Sequence, residues 1–163
     1  MVTGEAGIRR KASNAMSMWQ RRAVIWMVIW AVATVGFLVA GFVGKGPAGL
    51  AQDTPRRDLA AGFVAGGIVL SMAVRFVTRR RAGVTVDERD EAINGKSSEI
   101  ALGLTAAGVF VGCIALNEAY HAAGAVPVNW VWFLAFSSMV VAHLAQAVGA
   151  VILYSGVFDR AEG

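Results

Sequence analysis

The side chains that could carry out chemistry in this chain are few and lie far apart. Glu118 and His121 have the Glu-x-x-His spacing that supplies metal ligands from one helix face in carboxylate-bridged bundles. The other histidine, His143, follows Trp130 by about 13 residues, which is roughly 20 Å along a helix. We therefore expect no three-ligand metal site within one chain, and we interpret Glu118 and His121 as the water-facing end of a span.

His143 and Gln146 share one helix face near the middle of the last apolar segment. An ionisable group at that depth is costly, which makes it a functional candidate. It could line a transport path, or it could be a neutral imidazole that hydrogen-bonds to Ser71, Thr105 or Gln146 and ties helices together. We favour the second interpretation, because one histidine without a buried carboxylate makes a poor proton relay.

The sequence contains no signature of an enzyme. It has no glycine-rich phosphate loop after a strand, no Cys-x-x-Cys pair and no histidine-rich cluster. Its single cysteine, Cys113, can form no internal disulfide and is typical of a small packing residue. We therefore expect no catalytic residue, no metal and no cofactor.

A dense charged stretch runs from Arg79 to Glu91, between two apolar segments. Charge of this density cannot lie in hydrocarbon, so the stretch is predicted to be a water-facing hinge between two spans. Basic residues form its first part, and with one arginine just before it they are expected to anchor a span to lipid headgroups. These candidate anchors are Arg75, Arg79, Arg80 and Arg81.

Acidic residues form the second part of this stretch, which is Asp87, Glu88, Arg89, Asp90 and Glu91. Thr85 and Glu88 have the spacing of a capping box, and the helix dipole favours carboxylates in a first turn. Arg89 is the only base among these acids, so a group outside the stretch should neutralise them. They could pair with the preceding arginines, or they could form a docking surface for a cytoplasmic protein or a second copy of the chain.

The elements that must position these groups are membrane spans. Of 163 residues, 56% are hydrophobic and only 16% are charged, whereas soluble domains carry about 25% charged residues. Apolar segments of about 20 residues are long enough to cross a bilayer. The predicted spans cover about residues 23–43, 59–77, 100–117 and 128–154.

The predicted spans form one transmembrane domain, with polar segments at its borders. The Thr54 hydroxyl as a cap and Pro55 in the first turn predict the start of the second helix. The helix that follows the charged stretch either runs on into the third span or is kinked or interrupted at Asn94-Gly95. A signal peptide cleaved near Ala48–Ala51 is disfavoured, because the first apolar run exceeds the roughly 7–15 residues of a signal core. The predicted divisions are a basic, partly interfacial segment 1–22, a transmembrane domain 23–158 with a hinge 78–99, and a tail 159–163.

Basic residues are distributed unequally between the two ends of the spans. Twelve lie in the amino-terminal segment, the hinge region with Arg75, and the tail, whereas Lys45, Arg56 and Arg57 lie at the opposite end. The positive-inside rule then places both termini and the hinge in the cytoplasm. With short connections, this predicts an all-α, up-down bundle of four transmembrane helices in the cell (inner) membrane, with both termini cytoplasmic.

Small residues recur at four-residue spacing in every predicted span, which lets helices approach closely in lipid. We favour packing within one chain over the alternative of a homo-oligomer contact. The pairs are Gly36 and Ala40, Gly62 and Gly66, Gly108 and Gly112, and Ala145 and Gly149. Tryptophans form a second stripe, which is interpreted as an interfacial anchor that continues into packing; they are Trp19, Trp26 and Trp30.

The segment Val86–Ile93, which leads into a span rich in small residues, resembles a family of predicted prokaryotic membrane proteins of unknown function. Members have three or four spans and a cytoplasmic Asp-Glu-Arg-Asp-x-x-Ile segment before the last two. The resemblance implies a prokaryotic membrane protein and carries no activity with it. This chain departs from the pattern at residues 94–98, where an uninterrupted helix would be expected.

Together these features predict a small non-enzymatic integral membrane protein. We expect a scaffold or regulatory subunit that contacts the lipid bilayer and docks a cytoplasmic or membrane protein through its charged hinge. The alternative is a homo-oligomeric channel or transporter, whose path would be lined by Ser71, Thr105, His143 and Gln146. Nucleic acid is not an expected partner, because the basic residues cluster at span ends and so indicate membrane topology.

Overall fold

A computed structural model describes residues 18–81 and 88–155, apart from the side chains of residues 51 and 79–81. Over these ranges the protein is helical and contains no strand. The four long helices are α1 Met18–Phe42, α2 Thr54–Arg81, α3 Glu88–Tyr120 and α4 Val128–Tyr154. Each of them is long and apolar enough to cross a membrane. The prediction of an all-helical protein with four membrane-length helices is therefore confirmed.

Some sequence predictions concern groups outside these ranges. They are the part of the basic segment before Met18, the Thr85 partner of the predicted capping box, the carboxylate of Asp87, the side chains of Arg79, Arg80 and Arg81, and the tail after Ser155.

The start of α2 has a different cap from the predicted one. The helix begins at Thr54, with Pro55 in its first turn. However, the carboxylate of Asp53 accepts the backbone N–H of Arg56 at 3.2 Å. A capping side chain must reach an amide about three residues ahead, and Asp53 is the residue at that distance. Capping by the Thr54 hydroxyl was therefore the wrong assignment.

The third long helix is continuous through Asn94 and Gly95. Glycine in a helix interior costs about 1 kcal/mol relative to alanine, which is small beside the packing of a helix this long. The hydroxyls of Ser97 and Ser98 also donate to the carbonyl oxygen of Asn94, at 3.0 and 2.8 Å. Residues 88–99, predicted to belong to a hinge, are therefore the first turns of α3, and of the two alternatives left open the helix that runs on into the third span is the observed one.

The helices are arranged in the lateral order α2, α1, α4, α3. The central helix α1 packs against both α2 and α4, and α4 also packs against α3. By contrast, α2 and α3 share no comparable interface, although the predicted hinge joins them. Contacts between α1 and α4 shift from His143 to Phe133 as the chain advances from Trp30 to Phe37. Aromatic residues thus join α1 to α4, whereas α2 and α3 lie at the two ends of the lateral order.

The core follows one side of α1 and includes the first loop. Trp30 and Phe37 are completely buried. The loop contributes Leu50, which lies in a short 3₁₀ turn and is only 1% exposed. The guanidinium of Arg56 donates to the carbonyl oxygens of Val43 and Gly46 and holds this loop against α2. The segment Ala48–Ala51, considered above as a cleavage site, is thus part of the packed loop.

The small residues divide into internal and outward-facing positions. A methyl group added at Gly112 would lie 2.7 Å from Cδ1 of Leu134, and one at Gly149 would lie 3.4 Å from Cβ of Ser97. At Gly36 it would meet the ring of Phe63. No neighbouring atom lies within 4 Å of such a group at three other glycines, which are Gly62, Gly66 and Gly108. Packing within the chain therefore accounts for part of the pattern, and Gly62 and Gly66 of α2 have open space beside them.

Candidate functional site

The acidic start of α3 divides into internal and exposed carboxylates. The Tyr154 hydroxyl donates to the Asp90 carboxylate at 2.7 Å, which ties the last turn of α4 to the first turn of α3. Glu88, Arg89 and Glu91 are exposed. Asp90 therefore has a structural partner, and the charged surface of this helix start consists of its neighbours.

The exposed acids lie on the side of α3 that faces away from α4. On α3 the buried residues Ile93, Ser97 and Ala101 mark the face that packs on α4. At about 100° per residue, Glu88 and Glu99 lie on the opposite side of the helix from Ser97. Within residues 18–81 and 88–155, no ion pair involves Glu88, Glu91 or Glu99.

Glu99 was not selected from the sequence, because the continuity of the helix through Asn94-Gly95 was left open there. Once the helix is continuous, the eleven-residue spacing of Glu88 and Glu99 places them on the same stripe. Helical spacing counted without interruption from residue 88 would have placed Glu99 on the same stripe as Glu88. The acidic face, defined here as Glu88, Glu91 and Glu99, therefore extends toward the apolar part of α3.

Arg75 lies against a ring of the neighbouring helix. Its guanidinium carbon is 4.6 Å from the centre of the Trp26 ring, a cation–π geometry between α2 and α1. The sequence predicted that this side chain would extend to lipid headgroups. The structure gives it a partner within the protein, because the indole face offers an electrostatic contact nearby. Contact of the exposed Arg75 side chain with lipid headgroups stays a prediction.

His143 is held by stacking. Its ring lies 4.2 Å from the Trp30 ring at an interplanar angle of 17°, and 6.5 Å from that of Trp26. Gln146, one turn further along α4, donates instead to the Ser98 hydroxyl of α3 at 2.8 Å. The Thr105 hydroxyl donates to a carbonyl oxygen of its own helix, that of Ala101.

The hydrogen bonds predicted for His143 were therefore wrong. His143 and Gln146 do share a broad face of α4, but they are about 60° apart around the helix. This separation is enough to direct one toward α1 and the other toward α3. The structural role favoured from the sequence is thus carried by ring packing, with Trp26 and Trp30 supplying the surface.

Several polar atoms near this aromatic cluster are buried without a hydrogen-bond partner. They are Nε1 of Trp26, Nε1 of Trp30 and Oγ of Ser71. These groups are mainly donors, and no described carboxylate makes a hydrogen bond or ion pair with any of them. Histidine is the only side-chain type in this cluster that normally exchanges protons near neutral pH. One such group does not form a proton relay.

The Glu118–His121 pair lies at the far end of α3. Both residues are exposed, and His121 opens a short 3₁₀ turn, His121–Ala123. Across the described parts of the chain, no group of three or more potential metal ligands occurs. Glu118 and His121 thus lie at a helix end, where the sequence predicted the water-facing border of the span.

The candidate functional surface is therefore the acidic face of α3, whereas His143 and Gln146 lie in helix interfaces. The acidic face of α3 is distinguished by its charge, its exposure and its position away from α4. Comparison of the chain with protein-family models, with curated proteins and with solved structures gives no match.

Proposed function

We propose that this protein is a small non-enzymatic scaffold or regulatory subunit of the membrane, which docks a basic segment of a partner protein on the acidic face of α3. The observation that supports this most directly is the exposure of Glu88, Glu91 and Glu99 on the side of α3 that faces away from α4. Asp90 is not part of the docking surface, because Tyr154 occupies it.

Folding alone gives little reason to place these acids together. Exposed ion pairs contribute only about 0–1 kcal/mol each, and within the described residues these carboxylates form none. Glu99 also directly precedes the apolar run that begins at Ile100. A carboxylate near hydrocarbon is costly unless a cation approaches it. A basic segment of a partner protein on this face would offset that cost. A second copy of the chain would not, if it presented the same acidic face, because the two faces would repel each other.

The homo-oligomeric channel receives less support from the geometry. Residues expected to line its path are directed to separate places: His143 packs on α1, Gln146 bonds to α3, and Thr105 bonds to its own helix. Such an arrangement stabilises helix contacts, and it leaves the acidic face of α3 as an exposed polar surface.

We further propose an up-down arrangement with both termini and the start of α3 in the cytoplasm, based on the positive-inside bias. Single cysteines at Ala48 and Ala123 are expected to react with an impermeant thiol reagent from outside intact cells, whereas one at Glu88 should react only after permeabilisation. These positions are exposed, and they avoid the positive φ angles of Gly46 and Gly124. The exposed Cys113 must first be replaced by serine. Labelling of position 88 from outside would contradict the orientation.

Docking can be tested by crosslinking in cells from Gly95, which lies on the acidic side of α3 with no neighbouring side chain in its way. A photoreactive residue there is expected to capture one partner through a lysine- or arginine-rich segment. The triple variant Glu88→Gln, Glu91→Gln and Glu99→Gln should lower the yield on the order of tenfold, since each lost pair costs up to about 1 kcal/mol.

The matched control is Glu118→Gln, which removes one exposed carboxylate from the opposite end of the same helix. It should leave the crosslink unchanged, and all variants should keep the wild-type helicity and unfolding midpoint. Capture that is equally strong in the triple variant, or that yields lipid alone, would argue against a docking role for these acids.

A further inference from the structure

A second surface of α3, separate from its acidic face, forms a groove with the end of α4. The groove has a volume of about 210 Å³ and is lined by Arg89, Ala92, Ile93 and Lys96 of α3 and by Leu153 of α4. Its composition is two cations beside three apolar side chains. That combination differs from the neighbouring carboxylates and requires a different kind of ligand.

The two cations lie on one stripe of the helix. Arg89 and Lys96 are seven residues apart, which separates their Cα atoms by about 10 Å along the axis, and long side chains can reach across that distance. Both residues are exposed. Within the described ranges, neither makes an ion pair with a carboxylate. A negatively charged group between them would therefore meet two donors that are not already paired.

Two of the apolar residues, Ile93 and Leu153, form the side of the groove that faces the helix bundle. Ile93 is only 8% exposed and belongs to a buried cluster with Ala23 and Ala150, against which Leu153 packs. A ligand seated between the cations would thus touch Ile93 and Leu153 as well. A small hydrated anion gains nothing from such a contact, whereas a molecule with a hydrocarbon portion does.

The groove also lies at the depth of a membrane border. Ala23, which shares a cluster with Ile93, directly follows Arg21 and Arg22 at the start of the apolar run of α1. On α3, Lys96 precedes the apolar run that begins at Ile100 by only four residues. Phosphate groups and the first acyl carbons of a lipid occupy this border.

We propose that this groove binds one anionic phospholipid. Its phosphate lies between Arg89 and Lys96, and its glycerol and first acyl carbons lie on Ile93 and Leu153. Basic pockets beside transmembrane helices on the cytoplasmic side recognise anionic headgroups in this way, and the guanidinium of Arg89 offers two parallel donors to phosphate oxygens. The inference does not depend on partner docking, because it uses the opposite charge on a different stripe of α3.

The test measures lipid retained by the purified full chain in detergent, by native mass spectrometry. Phosphatidylglycerol and phosphatidylcholine with identical acyl chains are supplied at equal concentration. We expect the wild type to retain one phosphatidylglycerol in preference to phosphatidylcholine. The variant Arg89→Gln with Lys96→Gln should lose that preference, with an affinity for phosphatidylglycerol lower on the order of tenfold or more.

The matched control is Lys45→Gln with Arg57→Gln, which removes the same charge at the opposite end of the spans and should keep the preference. The exchange Arg89→Lys with Lys96→Arg preserves both charges and should keep it too, which separates lost binding from altered folding. Equal retention of both lipids by the wild type would overturn the proposal. So would full competition by millimolar inorganic phosphate, since the apolar contact would then contribute nothing.

Discussion

Replacement of Trp30 by alanine is expected to destabilise the folded protein by about 3–5 kcal/mol. The side chain is completely buried, and it stacks on His143 of α4 at 4.2 Å. The edge of its six-membered ring lies against Gly67 of α2. One indole thus joins three helices. Lipid offers little hydrophobic driving force between helices, so the loss falls on dispersion contacts that no other residue replaces.

The measurement is reversible unfolding of the purified protein in mixed detergent micelles, followed by helicity and by tryptophan fluorescence. Val32→Ala is the matched control, because Val32 lies on the same helix and is 61% exposed. It should change the free energy of unfolding by less than about 0.5 kcal/mol. Equal effects of the two substitutions would show that α1 is not the central helix.

A leucine at Gly36 is expected to destabilise the contact between α1 and α2 by about 1–3 kcal/mol, by overpacking. The space next to the Gly36 Cα is occupied by the ring of Phe63. Even a methyl group there would displace that ring, and an isobutyl group would separate the helices. The same unfolding assay should show the loss, together with greater exposure of α2 to protease.

Gly62→Leu is the control for this substitution, since it places the same side chain on α2 where no atom lies within 4 Å. It should leave the free energy of unfolding of the monomer within about 0.5 kcal/mol of wild type. If Gly62→Leu instead weakens self-association in detergent, the outward glycines of α2 form a contact between copies. If Gly36→Leu is harmless, internal packing does not explain the small residue at position 36.

Both proposed binding surfaces lie on α3, and its packing explains why. Only 6% of the apolar stretch of α3 is buried within the chain, whereas 33% of the apolar stretch of α1 is buried. Among the described helices α3 packs mainly on α4, which leaves most of its circumference available for lipid or for another protein. At its amino-terminal end that circumference carries acids on one stripe and bases on the next, so two ligands of opposite charge could bind side by side.

The sequence by itself determined the number and kind of elements. A bilayer about 30 Å thick requires apolar runs of about 20 residues, and charged residues cannot occupy its interior without partners. Those two conditions are local, so they were visible in the composition of each segment. The stripe of Trp26 and Trp30 on α1 was also visible, because helical periodicity relates residues that are close in sequence.

Only the tertiary structure decided which groups meet. Asp90 meets Tyr154, His143 meets Trp30, and Gly36 packs inward while Gly62 does not. In a soluble protein, polarity would distinguish the outer face of a helix from its inner face. In lipid both faces are apolar, so the lateral order α2, α1, α4, α3 depends on the fit between side chains far apart in the chain.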